Sequence, residues 1–124
     1  MKAIRLIALA ACMAATLDAS AQEQEIRLFS HRGGRMEHDE NTLSAFQASY
    51  DAGYRGFETD IRMTRDGALV ITHDSSLERT TDGTGTVEEK TEAEIRRLRT
   101  KQGNKVLFLD ELLEFLEGKE GLYV

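Results

Sequence analysis

Short apolar runs alternate along this chain with longer amphipathic stretches, and glycine or charged residues separate them. Period-two runs of apolar residues predict three strands, at about residues 26–30, 56–63 and 68–72. An apolar stripe after the first strand, at Leu43, Phe46 and Tyr50, predicts an amphipathic helix. With two further helices and a final strand at residues 122–124, this order predicts an α/β fold.

The predicted helices have recognisable ends. Asn41 or Thr42 can cap the first helix, because a side-chain oxygen there accepts a bond from the free N–H groups of the first turn. Residues 91–94 form a capping box and predict the start of a second helix. Asp110 is expected to cap a third helix, which Gly118 would end.

A turn signal, Asp66-Gly67, separates the second predicted strand from the third. With alternating residues on both sides, this pattern predicts an antiparallel hairpin. A parallel connection would need a crossover of a dozen or more residues, and the sequence between these strands is shorter.

The first residues have the pattern of an export signal. Lys2 and Arg5 form a positive segment, residues 6–17 are apolar, and residues 19–21 (Ala-Ser-Ala) resemble a cleavage site. The apolar stretch is too short to span a bilayer. We therefore expect a signal peptide at residues 1–21 and an exported protein, periplasmic or extracellular.

A lipoprotein signal at residues 9–12 is an alternative, in which Cys12 would carry the lipid anchor. Cys12 is the only cysteine of the chain. A protein cleaved after Ala21 would therefore have no disulfide and would depend on its core, or on a metal, for stability.

The charge balance narrows the choice of partner. The formal net charge of −6 becomes −7 when the two basic residues and one acidic residue of the predicted leader are removed. An acidic surface does not favour nucleic acid. A phosphate-containing substrate would need a local cationic site.

Two carboxylates stand one residue apart, at Glu58 and Asp60, inside the second predicted strand. Positions i and i+2 of a strand share a face, so both side chains would point the same way. A divalent cation with oxygen ligands would relieve their repulsion. The same spacing fits two solvent-facing residues of an amphipathic strand, so spacing alone leaves both interpretations open.

Further polar candidates follow the first and third predicted strands. In residues 31–34 (His-Arg-Gly-Gly), the guanidinium of Arg32 offers several donors suited to phosphate, and the glycines let a bound anion approach the backbone closely. An ordinary turn has the same composition, so this segment alone leaves both interpretations open. His73, followed by Asp74, is either a general acid or base or a buried structural histidine. His38 is expected to be a solvated loop residue.

These candidates belong to an ordered set of short motifs. The set is His31-Arg32-Gly33, Glu40-Asn41-Thr42 with Ala45-Phe46, Gly53, Glu58-x-Asp60, Thr64-x-Asp66-Gly67, His73-Asp74, Leu77-x-Arg79-Thr80-Thr81 and Gly83-x-Gly85. In order and spacing it resembles the N-terminal part of the glycerophosphodiester phosphodiesterase family, over about residues 28–124. The chain departs from the family at Asp39, where a proline is common, and at the extra Gly34.

The resemblance implies a TIM-type β/α barrel, of which residues 26–124 would be the N-terminal part, with the site at the carboxyl ends of the strands. A barrel of this type needs about 250 residues, so a truncated chain is expected. The resemblance also implies that the Asp66-Gly67 turn joins two barrel strands, which overrides the hairpin predicted from the pattern.

The implied activity is hydrolysis of a glycerophosphodiester, a small-molecule substrate of glycerophospholipid metabolism, to an alcohol and glycerol 3-phosphate. The resemblance implies that Glu58 and Asp60 bind Ca²⁺ or Mg²⁺, with a third carboxylate expected just beyond Val124. It also implies that His31 and His73 form the acid–base pair.

The same resemblance implies that Arg32 contacts the phosphate. Two other functions stay open. One is a related phosphodiesterase acting on phospholipids, similar to phosphatidylinositol-specific phospholipase C or to a sphingomyelinase. The other is an inactive fragment or binding module, because a partial barrel exposes strand edges.

Overall fold

A computed structural model describes residues 26–119 of the chain. The predicted signal peptide at residues 1–21, the alternative lipid site at Cys12 and the strand expected at residues 122–124 lie outside the described residues. Within residues 26–119, no helix has the length and apolar character needed to cross a membrane.

A parallel strand pair with a helical crossover forms the first part of the fold. In chain order the elements are β1 (Phe29–His31), α1 (Leu43–Asp51), β2 (Gly56–Glu58), β3 (Ile61–Met63), β4 (Leu69–Ile71), a 3₁₀ turn (Val87–Glu89), α2 (Glu92–Arg96) and α3 (Leu109–Leu116). β1 and β2 are parallel, with Phe29 opposite Gly56 and His31 opposite Glu58. Since α1 connects them, this β–α–β unit confirms the α/β class.

The first two helices begin where the sequence predicts. Thr42, and not Asn41, caps α1, because its side chain accepts the N–H of Ala45 at 3.2 Å. The capping box of α2 is also confirmed. The Glu94 carboxylate accepts the N–H of Thr91 at 2.7 Å, and the Thr91 hydroxyl accepts the N–H of Glu94 at 3.3 Å.

The start of α3 differs from the prediction. The helix begins at Leu109, so Asp110 lies inside the first turn and does not cap it. Instead, the carboxylate of Glu111 reaches back and accepts the N–H of Phe108 at 3.0 Å. Gly118, with a φ of +73°, follows the end of the helix as predicted.

The predicted strand at residues 56–63 is in fact two strands, β2 and β3, separated by Thr59 and Asp60. β3 pairs antiparallel with β4. The hairpin predicted from the sequence pattern is therefore confirmed, and the expectation that the barrel resemblance overrides it is wrong. The connection is too short for a parallel crossover, and Gly67 supplies the φ of +94° that this tight turn requires.

β4 contributes to two hydrophobic cores, because neighbouring side chains of a strand point to opposite faces. The first core contains Val70, Leu77, Val87, Ile95, Val106 and Phe108, and the second contains Phe46, Phe57, Ile71, Leu107 and Leu112. A backbone hydrogen bond of 2.9 Å from Ile71 to Leu107 ties β4 to the segment that precedes α3. The second core therefore packs α1 and α3 against the strands that carry the candidate site.

Gly33 approaches α1 so closely that a Cβ at this position would lie 2.8 Å from the Cβ of Ala45. Gly67 has a comparable positive φ, but a Cβ there would have no neighbour within 4 Å. We expect Gly67→Ala to lower the free energy of unfolding by about 1–2 kcal/mol through φ alone. Gly33→Ala should lower the free energy of unfolding by about 1–3 kcal/mol more than Gly67→Ala does, because the added methyl group also overpacks the contact with α1.

Urea unfolding of both variants, followed by circular dichroism, measures the two costs. Equal losses of stability would contradict a close contact at Gly33.

Candidate active site

The first two site residues meet because β1 and β2 end side by side. His31 is the last residue of β1 and Glu58 the last residue of β2, and the parallel register places them opposite each other. His31 Nε2 lies 3.6 Å from Glu58 Oε2. The structure therefore brings one predicted acid–base residue next to one predicted metal ligand, at the carboxyl end of the strand pair.

Glu58 has an oxygen that is enclosed but not satisfied. Its Oε2 is buried and has no hydrogen-bond partner among the described residues, although the side chain as a whole is 43% exposed. A buried carboxylate oxygen without a partner is costly, and a coordinated cation is one way to satisfy it. This oxygen is the feature of the structure that best fits a divalent metal.

Asp60 stands outside the strands and is held by two neighbours. Its Oδ2 lies 3.1 Å from Arg32 Nε, as an ion pair without hydrogen-bond geometry, and accepts a hydrogen bond of 3.3 Å from Asn41 Nδ2. Within residues 26–119, no group of three or more potential ligands is placed to hold a metal. Glu58 and Asp60 thus stay predicted ligands.

Arg32 is buried and lies between two carboxylates. Besides Asp60, its guanidinium contacts Glu40, with Nη1 3.3 Å from Glu40 Oε1. Its backbone adopts a φ of +53°, and its N–H donates to the carbonyl of Glu58 at 2.9 Å. The guanidinium of Arg32 is already paired with the carboxylates of Glu40 and Asp60. Its contact with a substrate phosphate therefore stays a prediction.

Asn41 was predicted as a possible helix cap and as part of the Glu40-Asn41-Thr42 motif, and the structure places it against the predicted ligand Asp60. Its φ is +57°, a conformation that asparagine tolerates better than most residues. Its Nδ2 donates to Asp60, and its Oδ1 accepts the hydroxyl of Thr59 at 2.9 Å. Asn41 therefore orients the residues that separate β2 from β3.

His73 follows β4 and is oriented by the next residue. Its Nδ1 lies 2.6 Å from Asp74 Oδ1, and Arg79 also pairs with Asp74. These hydrogen bonds, from Arg79 first and then from His73, hold the pKa of Asp74 well below its usual range. An ionised carboxylate only accepts hydrogen bonds, so Nδ1 of His73 carries a proton and Nε2 is left for chemistry.

The exposure of His73 and His38 bears on the roles that the sequence left open for them. The side chain of His73 is 47% exposed, which excludes a buried structural histidine. His38 is an exposed loop residue, as predicted.

Glu40 and Arg79 were not identified as site residues from the sequence, although both stand in the motifs that carry the resemblance. Arg79 donates from Nη1 and Nη2 to the two oxygens of Glu40, at 3.0 Å and 2.8 Å. These bonds from Arg79, with Arg32 nearby, hold the pKa of Glu40 below its ordinary value. The two residues are 39 positions apart in sequence, so no local pattern could have paired them.

Asp39 replaces the proline that is common in similar sequences, and its side chain has a structural role. Its Oδ2 accepts hydrogen bonds from Thr100 Oγ1 at 2.5 Å and from Asn104 Nδ2 at 2.7 Å. The loop that carries Glu40 and Asn41 is thereby tied to a distant segment.

Residues 31–121 match the sequence profile of the glycerophosphoryl diester phosphodiesterase family. A glycerophosphodiester phosphodiesterase of Caldanaerobacter subterraneus is 34% identical over 102 residues, which cover 77% of this chain and 42% of that protein. The human glycerophosphodiester phosphodiesterase 1 is 44% identical over 73 residues, covering 59% of this chain and 22% of the relative.

Solved structures give the same result. The crystal structure of a glycerophosphodiester phosphodiesterase from Agrobacterium tumefaciens matches with a TM-score of 0.73 and 36% identity, over 80% of this chain and 46% of that one. An Oleispira antarctica phosphodiesterase in complex with the product sn-glycerol-3-phosphate matches with a TM-score of 0.69 and 31% identity, over 73% and 40%.

The chain therefore spans less than half the length of these relatives. The match confirms the expected fold class, part of a TIM-type barrel. It also confirms the resemblance drawn from the ordered motifs. The chain belongs to the glycerophosphoryl diester phosphodiesterase family, a family of enzymes.

Proposed function

We propose that the protein containing this chain is an exported, metal-dependent hydrolase that cleaves glycerophosphodiesters to an alcohol and glycerol 3-phosphate in glycerophospholipid metabolism. The observation that carries the proposal is the enclosed Oε2 of Glu58, which accepts no hydrogen bond from the described residues and lies beside His31 at the carboxyl end of β1 and β2. The product bound to the Oleispira relative supports the same substrate class.

Glu58 and Asp60 are the residues that would hold a Ca²⁺ or Mg²⁺ ion, together with the carboxylate that the resemblance implies outside the described residues. Both offer the hard oxygen ligands that these ions prefer. When bound, such an ion would offset charge on the phosphoryl oxygens. Asn41 supports this role by fixing the oxygen of Asp60 that it contacts.

His31 and His73 would share the two proton transfers of the reaction. One imidazole removes a proton from the attacking hydroxyl or water, and the other donates one to the departing alkoxide. His73 is prepared for either task, because Asp74 fixes its Nδ1 proton and leaves Nε2 available. Arg32, a buried cation, is the group expected to face the phosphate.

Hydrolysis assays on the complete protein that contains this chain test the proposal. With glycerophosphocholine as substrate, we expect choline release that requires Ca²⁺ or Mg²⁺ and stops when EDTA removes the metal. A parallel panel of phosphatidylinositol and sphingomyelin tests the phospholipid alternative. No release of alcohol from any deacylated phosphodiester, with either metal, would contradict the proposed function.

A further inference from the structure

Arg79 takes part in two series of side-chain contacts, one that leads to His73 and one that leads to Arg32. Its Nε donates to Asp74, which in turn holds Nδ1 of His73. Its Nη1 and Nη2 donate to the two oxygens of Glu40, whose Oε1 also lies 3.3 Å from Nη1 of Arg32. One guanidinium therefore connects the carboxylate that orients His73 with the carboxylate that pairs with Arg32.

We propose that Arg79 is a positioning residue of the active site, which sets the orientation of His73 through Asp74 and the position of Arg32 through Glu40. Its catalytic meaning rests on the proposed function. The positioning itself is a property of the contacts within residues 26–119 and holds whatever the substrate is.

The chemistry of arginine suits this task. Its guanidinium offers five N–H donors in a fixed planar fork, and Arg79 uses three of its nitrogens on two carboxylates. Lysine would keep the charge, but a single ammonium on a flexible stem cannot hold both carboxylates in the same geometry. The Glu40 side chain is only 14% exposed, so water is a poor substitute for these bonds.

The backbone that carries Arg79 is fixed on both sides. Leu77 is buried in the first core and donates its N–H to the carbonyl of Gly85 at 3.0 Å. The carbonyl of Leu77 accepts both the N–H of Thr81, at 3.0 Å, and the Thr81 hydroxyl, at 2.6 Å. Arg79 is therefore presented by a segment that the core already orders, as positioning requires.

Steady-state kinetics of Arg79→Gln and Arg79→Lys in the complete protein test the proposal. We expect kcat to fall about 10–100-fold in Arg79→Gln, the range typical of groups that orient functional side chains. KM should change less than kcat, because Arg79 does not touch the substrate. Arg79→Lys should recover part of the loss, since it keeps the positive charge.

Arg96→Gln is the matched control. Arg96 also contacts several carboxylates, those of Glu92, Asp110 and Glu111, but these lie outside the candidate site. Its side chain is 37% exposed, comparable with 46% for Arg79. We expect Arg96→Gln to keep the kcat and KM of the wild-type protein.

A second readout does not depend on activity. NMR of protein with ¹⁵N-labelled histidine detects the Nδ1 proton of His73, and the signal is assigned by its loss in His73→Ala. We expect this proton to be observed in the wild-type protein and in Arg96→Gln, and to be broadened or lost in Arg79→Gln. Circular dichroism checks that each variant is folded.

An unchanged His73 signal in folded Arg79→Gln would overturn the proposal. So would a rise in KM at wild-type kcat, which would place Arg79 on the substrate. If Arg79→Gln does not fold, the His73 signal and the kinetics of Arg79→Lys are compared with those of the wild-type protein instead. If the wild-type protein hydrolyses no phosphodiester, the proposed function fails, and the NMR comparison still decides the positioning role.

Discussion

Glu58→Gln is expected to lower the metal-dependent kcat of the complete protein by about 10³-fold or more. The substitution keeps the shape of the side chain but removes the negative charge from the enclosed oxygen. A 10³-fold loss corresponds to about 4 kcal/mol of transition-state stabilisation, which is within the several kcal/mol that a metal supplies by polarising a phosphoryl oxygen. Kinetics with Ca²⁺ or Mg²⁺ titrated into metal-free protein measure the loss.

Glu92→Gln is the matched control for this prediction. The Glu92 side chain is 42% exposed, against 43% for Glu58, and pairs with Arg96 outside the site. We expect it to keep the wild-type rate, whereas calorimetry should show weaker metal binding in Glu58→Gln and in Asp60→Asn. Wild-type metal affinity in both site variants would show that these carboxylates are not ligands.

His31→Ala and His73→Ala are each expected to lower kcat by about 10²–10⁴-fold, the usual contribution of a general acid or base. Both proteins should fold normally, because the two side chains are about half exposed and neither belongs to a hydrophobic core. Assays with glycerophosphocholine at saturating metal measure the rates, and circular dichroism checks the fold.

The chain offers its own control for the histidine variants. His38 is exposed in the loop after β1, so His38→Ala should keep the wild-type rate. Rates near wild type in His31→Ala and His73→Ala would instead show that neither histidine is a catalytic acid or base.

The parts of the fold that follow from local chemistry could be predicted from the sequence. Thr42 caps α1 and the box from Thr91 to Glu94 starts α2, because a cap needs only residues within one turn. The hairpin at Gly67 also follows from neighbouring residues. The predicted cap of α3 was wrong by two positions, because the helix is capped at Phe108, whose N–H donates to the Glu111 carboxylate.

The parts that depend on distant residues could not be predicted in this way. The interruption between β2 and β3 exists because the two strands pair with different partners, β1 and β4. The bonds from Arg79 to Glu40 join loops that no periodicity connects. The motifs predict which residue types form the candidate site, whereas the contacts that orient them depend on the tertiary fold.

The antiparallel hairpin has a consequence for how the two histidines are spaced. His31 stands on the parallel pair and His73 follows the hairpin, so no single sheet register fixes the distance between them. That distance is a tertiary quantity, set by the 3.0 Å backbone bond from Thr72 to Asp60 and by the packing of Ile71. Among the described residues, the geometry of the proposed acid–base pair therefore depends on the contact between two small sheets.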